Sequence, residues 1–504
     1  MSTLPVLKPQ RTWIPILLIL LLATGLSFYK IGAESLWNEE LYSIHDTLLV
    51  RLVPLDLLIR ITHIRPVYFI LLRIWMLFGD SDAWLRSFSA LCSIGNVFLT
   101  YRLGQKIAGK PVGWIASLML ALSPMSIYFA QMVRMYALGM LLGLLGSLAL
   151  AHALEAPKTK FLGGWAVSRL LVFLTAPLNL TLLLPDLILF GATYRKQPKH
   201  LISFGKWLTV VMIACLPSAF SLVSGTLPFL RDAFDVSSKV TVSDQVASPP
   251  SFGEVVRKFK KFTAFPFPST SSIMSRLLQA YTIVLIALAG LGFYKNRSAN
   301  RLLWVAAWTF IPWIVHAAVS KTMLFDRYIL YTMPYLLILL ATGLVRVWQM
   351  HRLPAALIAV VYAIAITAGI SRYYTVQDRQ DWRGLATVIS QHEQPGDLIL
   401  LSIDSEKMPR ALTHYYKGDT PIERIMGICT SPDIEKTEAS LALSQIPPVK
   451  ANVWLVCSSG FDEHVFPTIL GDRLNLEAHW QFVNEVFYRQ EDYMNLFKVT
   501  LKQP

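Results

Sequence analysis

Glu39 and Glu40 stand side by side in the segment SLWNEELYS, residues 35 to 43, just past the end of the first long apolar run. Adjacent carboxylates next to a lipid phase are costly unless they are solvated, paired or bound to metal. Two readings are open. The pair is either two solvated loop acids, or a general base beside a partner that orients a cation or a hydrogen-bond donor. His63 and Arg65 form a second polar cluster further along the same loop. His63 could ligate a metal or relay protons, and Arg65 could grip a phosphate, unless both are plain interface residues. Arg134 in AQMVRMY and Arg327 in LFDRYILY are further cations placed at the ends of apolar runs. Each asks for a partner, which a phosphate diester would provide, or else snorkels to lipid headgroups.

The elements that must position these residues are set by composition. Hydrophobic residues make up 54% of the 504 and charged residues 15%, against about 25% charged in an ordinary soluble domain. Apolar runs long enough to cross a bilayer are expected near 13–29, 82–101, 112–129, 136–153, 161–176, 178–193, 207–225, 276–293, 302–320, 328–346 and 353–371. This predicts a polytopic all-α membrane domain of about eleven transmembrane helices over residues 1–371, with outer loops 30–81 and 226–275. Residues 66–79 are apolar but too short to span, and read as an interfacial or re-entrant helix continuing the first loop.

Every second loop is short and basic, and together these loops carry sixteen Lys and Arg against one acid, Glu155. The positive-inside rule makes them cytoplasmic, with the N-terminus inside and the acidic pair outside. They sum to +15 against +14 for the chain, so the basic balance reports topology and offers no support for nucleic-acid binding. In the long outer loop, Arg257, Lys258, Lys260 and Lys261 alternate with aromatics, which suits a segment lying on anionic lipid or one guiding a lipid phosphate.

Residues 372–504 return to soluble composition and predict a small extracytoplasmic α/β domain. Trp382–His392 reads as a helix, Pro395-Gly396-Asp397 as a turn, and Leu398–Ile403, Ala451–Cys457 and Met494–Leu501 as strands. Lying on the same side as the acidic pair, this module is expected to help bind an acceptor. Cys92 and Cys215 fall in spans as small apolar residues, whereas Cys429 and Cys457 could pair in an oxidising compartment. Thr175-Ala-Pro-Leu-Asn179 and Pro185 interrupt two spans, either as broken helices lining a cavity or as tolerated prolines.

The order of these short pieces resembles the bacterial membrane glycosyltransferases of the GT-C fold, the relatives of protein O-mannosyltransferases and lipid A aminoarabinose transferases. The pieces are Ser35 to Glu40, His63 to Tyr68, Gln131 to Tyr136, Arg327-Tyr328, and Asp381 to Gly384. The resemblance implies a bacterial plasma (inner) membrane enzyme that transfers a sugar, with inversion, from a polyprenyl-phosphate donor to an extracytoplasmic acceptor. It implies Glu39 as the catalytic base and Glu40 as its catalytic partner. It also implies Arg134 and Arg327 as donor-phosphate groups and a divalent metal cation near the acidic pair; Arg65 as a further phosphate group, and Glu40 with His63 as the metal ligands, are read from the residues themselves. The chain departs from the family pattern at Glu39, usually Asp, at Met132, often an acid, and at Arg65, usually Pro.

A lipid-linked glycan flippase or transporter is the alternative. It would need charge deep within the spans, where the exceptions to an apolar interior are Arg86, Arg169 and Asp186.

Overall fold

The computed structural model describes residues 13–49, 65–237, 262, 272–293, 299–319, 326–403, 410–426, 452–457, 474–484 and 492–501. His63, Cys429 and the cationic residues of 254–261 lie outside the described residues. The chain divides into two compact units, one of residues 1–31 and 46–373, the other of residues 32–45 and 374–504. The segment bearing the acidic pair therefore packs with the C-terminal module, although it reads in the sequence as a loop of the membrane body.

The first unit is a helical bundle. Helices occupy all eleven apolar segments, but among the described residues six are long and apolar enough to cross a membrane, or seven if one bent pair counts as a span. The chain is a multi-pass membrane protein. The shortfall from eleven has physical causes. The first helix, Ile14–Phe28, has 15 residues. The 27-residue helix Asp82–Ala108 buries Ser87, Ser89, Ser93, Asn96 and Thr100 along its interior face, and these lower its hydropathy. Lys110–Leu122 and Pro124–Ala130 form the bent pair, with an angle of 63° between them. The bend falls at Ser123-Pro124, where the Ser123 hydroxyl caps the second helix by accepting from the Ser126 N–H.

Depth in the bundle follows sequence. The apolar windows of Tyr136–Glu155 and Arg327–Met350 are 72% and 83% buried, whereas those of Pro198–Pro217 and Arg352–Thr375 are 17% buried. The first two form the enclosed core and the last two present their apolar surface to lipid. Helices Ser272–Leu291 and Met333–Met350 cross so closely at Gly343 that a Cβ there would lie 2.0 Å from the Leu288 carbonyl oxygen, the small-residue contact that membrane helices use.

Three of the basic loops meet at one end of this unit. Glu155 pairs with Lys106 and, at 3.0 Å, with Arg301. The single acid of those loops is thus spent in joining them. The interruption at 174–176 is present, with helix Thr159–Phe173 giving way to a 3-10 segment, Pro177–Leu182, that runs into Leu183–Tyr194. The short helix Pro66–Trp75 has 10 residues. It buries Tyr68, Phe69 and Leu72 and exposes Ile70 and Ile74, as an interfacial helix does.

In the second unit, five strands make one mixed sheet in the order β2-β1-β3-β5-β4. These are β1 Leu398–Ile403, β2 Ile422–Met426, β3 Val453–Cys457, β4 Leu474–Asn484 and β5 Asp492–Leu501. β1 lies parallel to β2 and β3, and β5 is antiparallel to β3 and β4. Every residue of β3 is buried, as expected of a strand enclosed on both faces. Asp397 fixes the start of β1 by accepting from Gln394 N, Asn452 N and Trp454 Nε1, and Gly396 supplies the turn before it with a φ of 96°. Helix Trp382–His392 and strands β1, β3 and β5 match the sequence expectation within two residues. β2 and β4 are additional, and the alternation Leu474, Leu476, Ala478, Trp480, Phe482 was the signal that β4 offered. Cys457 is disulfide-bonded, and Cys92 and Cys215 are free and buried.

Candidate active site

The two acids of the 35–43 segment have different surroundings. Glu40 is fully buried. It occupies the third position of helix Asn38–Leu49 and reaches back to accept the Trp37 N–H at 2.9 Å, half of a capping box. Its Oε2 also lies 3.8 Å from Nη1 of Arg379, which is itself 5% exposed. Glu39, one position earlier in the same first turn, is half-buried. Oε2 of Glu40 thus faces a guanidinium and a helix-end N–H. Among the described residues, no group of three or more His, Cys, Asp or Glu could hold a metal ion.

The segment 32–36 is strapped to residues 378–383 of the same unit. Glu34 accepts the Asp378 N–H at 2.9 Å and lies 3.7 Å from Arg379. Ser35 donates to Asp381 Oδ1 and accepts the Arg383 N–H. Arg383 donates to the Gly32 carbonyl at 3.2 Å, and the Leu36 N–H donates to the Tyr415 hydroxyl at 2.6 Å. The sequence DWRG has a local reason as well. Asp381 caps helix Trp382–His392 through the Gly384 N–H at 2.9 Å, and a Cβ at 384 would stand 2.3 Å from Asp381 Oδ2. Sequence reasoning noted the motif but not Arg379, whose part depends on a contact remote in the chain.

In the helical unit Arg65 lies within electrostatic reach of Arg134. Burial is the first influence disfavouring the Arg65 cation and the charge of Arg134 is the second, so its pKa falls below the ordinary arginine value. Tyr136, Tyr328 and Tyr68 act in the opposite sense. The Nε of Arg65 is buried and has no hydrogen-bond partner among the described residues. Arg134 lies over the Tyr136 ring at 5.7 Å, and Arg327 lies over the Tyr328 ring at 5.2 Å. Two clustered cations with a donor left over make a site suited to an anion.

Gln131 of the same motif has a structural task. Its Nε2 donates to the carbonyls of Ser27 and Tyr29, at the open end of the first helix, and its Oε1 accepts from the Tyr373 hydroxyl at 2.8 Å.

Arg169 and Asp186, the charges deep in the spans, are consumed by each other at 2.7 Å. Trp165 and Trp308 donate to the same carboxylate. Arg86 is also buried and donates to the Ile31 carbonyl at 3.0 Å.

No protein-family model and no curated protein matches the chain. Solved structures do. ArnT from Cupriavidus metallidurans in the apo state superposes with a TM-score of 0.54 at 13% identity, over 95% of this chain and 97% of that one. The chain has the GT-C fold. The same ArnT bound to undecaprenyl phosphate gives 0.52 at 12% identity, over 97% of this chain and 98% of that one. The Archaeoglobus fulgidus oligosaccharyltransferase AglB, in complex with an inhibitory peptide and a dolichol-phosphate, gives 0.51 at 10% identity, over 88% and 69%. The GT-C likeness thus runs the length of the chain, C-terminal module included.

Proposed function

We propose that this protein is a membrane-embedded glycosyltransferase that transfers a sugar, with inversion, from a polyprenyl-phosphate donor to an extracytoplasmic acceptor. The observation that carries the reading is the buried, unpartnered Nε of Arg65 at the start of helix Pro66–Trp75, where the charge of Arg134 is felt. Two cations held close together repel each other, and a phosphate offsets that cost while accepting their hydrogens. A polyprenyl-phosphate sugar also suits a protein whose outer helices face lipid. Undecaprenyl phosphate in the ArnT structure and dolichol-phosphate in the AglB structure support the same donor class.

The roles follow from the chemistry. The acceptor hydroxyl attacks the anomeric carbon, and its proton passes to Glu39, the less buried of the two acids. The bond from that carbon to the phosphate oxygen breaks on the opposite face, and the polyprenyl phosphate leaves as an anion. Arg65 and Arg134, with Arg327, stabilise that anion. Glu39 belongs to one unit and the arginines to the other. The proposal includes eleven spans in the bacterial inner membrane, a cytoplasmic N-terminus and an extracytoplasmic C-terminal module. The alternative of a non-enzymatic flippase loses ground because Arg169 and Asp186 are spent on each other.

The test is consumption of a labelled panel of polyprenyl-phosphate sugars in proteoliposomes supplied with envelope extract as acceptor. Wild type should consume one donor, and Glu39→Gln should bind it without turnover. Failure of wild type to consume any donor, or equal turnover by Glu39→Gln, would sink the reading. Donor translocation without consumption would establish the flippase instead.

A further inference from the structure

The buried carboxylate of Glu40 and the guanidinium of Arg379 are the two most enclosed charges around the acidic segment. Arg379 is 5% exposed and Glu40 is not exposed at all, and their nearest atoms are 3.8 Å apart. Glu34 lies 3.7 Å from Arg379 Nε, and its second oxygen accepts the Asp378 N–H. One guanidinium from the C-terminal module thus has two carboxylates of the 32–45 segment within 4 Å.

Glu40 also accepts the Trp37 N–H through the same oxygen, closing the first turn of helix Asn38–Leu49. That turn contains Glu39. A carboxylate that closes a helix end fixes the direction in which the neighbouring residues of the turn project. Anything that holds Glu40 therefore holds Glu39.

We infer that Arg379 is a positioning residue for Glu39, acting through Glu40, and that residues 378–383 form the cradle of the acidic segment. The inference rests on the reading of Glu39 as the base. It gives the C-terminal module a task besides acceptor binding, namely setting the geometry of proton removal. The straps from Asp381 and Arg383 to Ser35 and Gly32, and from Tyr415 to Leu36, fix the rest of the segment in the same way.

The experiment compares full-length wild type with Arg379→Met, Arg379→Lys and the neutral pair Arg379→Met with Glu40→Gln. It reads kcat and KM for the donor sugar and hydrogen exchange at residues 36–43. Arg379→Met should lower kcat about 100-fold, the scale of a catalytic group misplaced by an ångström, with KM for the donor unchanged within about threefold. Arg379→Lys, which keeps the charge, should recover about tenfold of that loss. The neutral pair leaves no uncompensated buried charge and so keeps the fold even if Arg379→Met does not. Its kcat should stay about as low as that of Arg379→Met, since the contact that holds Glu40 is gone, and a kcat back at the wild-type value would overturn the inference.

Exchange at 36–43 should rise in Arg379→Met and fall back in Arg379→Lys. Unchanged exchange there, or wild-type kcat in Arg379→Met, would overturn the inference. If exchange rises as expected while Glu39→Gln turns over like wild type, the positioning contact stands and the assignment of the base fails.

Discussion

Arg169 and Asp186 form an ion pair inside the helical unit, with Nε 2.7 Å from Oδ2 and neither side chain exposed. Each has further partners. Arg169 donates to the Gly143 carbonyl and to Ser147, and Asp186 accepts the indole N–H groups of Trp165 and Trp308. Gly146 makes room for the guanidinium, since a Cβ there would lie 2.5 Å from Arg169 Nη1.

Breaking one side of a buried pair leaves an unpaired charge in a medium that cannot solvate it, a loss of about 3 to 5 kcal/mol. Asp186→Ala should therefore lower the thermal midpoint in detergent sharply. Asp186→Leu combined with Arg169→Met should recover most of it. If the double variant is as unstable as the single one, the pair is not the source of the loss.

The two acids of the 35–43 segment should separate by phenotype. Glu39→Gln should melt like wild type and lose turnover by about 10² to 10⁴, the range for a removed general base. Glu40→Ala should lower the melting midpoint, because it strips a helix cap and takes one of two carboxylates from the buried Arg379. Melting curves beside turnover numbers check both, and the opposite assignment of phenotypes would exchange the roles.

Arg65→Met should raise the melting midpoint of the donor-free protein and weaken donor binding. Burial and Arg134 both disfavour the Arg65 cation, so its removal relieves the folded state. The same removal takes a charge-assisted contact from the donor phosphate, with an expected loss of about tenfold or more in affinity. Because the shift starts from an arginine value, the charge persists through neutral pH and binding should show no arginine titration there. Calorimetry with a short-chain polyprenyl phosphate checks the affinity. Unchanged binding would remove Arg65 from the phosphate site.

The thiols report the compartment. Of the four cysteines, Cys92 and Cys215 are free and Cys457 is disulfide-bonded. Alkylation of the denatured protein followed by mass spectrometry should modify Cys92 and Cys215 before reduction, and Cys457 together with Cys429 only after it. A Cys457 alkylated without reduction in protein purified from membranes would count against an oxidising location for the module.

Much of the architecture follows from residue type alone. Runs of apolar side chains must leave water, and basic residues collect where the chain re-emerges. A soluble composition at the end of the chain then requires a second core. The acidic pair, the clustered motifs and three of the five strands are legible in the same local way. What the sequence leaves undivided is Glu39 from Glu40, because adjacent residues of one type carry one signal. The tertiary structure divides them by burying Glu40 against Arg379, remote in the chain, while Glu39 stays half-buried. The same applies to Arg169 and Asp186, which as isolated charges in apolar helices suggest a transport path, and to Arg65 and Arg134, whose meeting no spacing predicts. Hydrophobic patterning is a property of each segment and so is written locally. The partner of a charge is chosen by folding, where desolvation penalises any charge left without one.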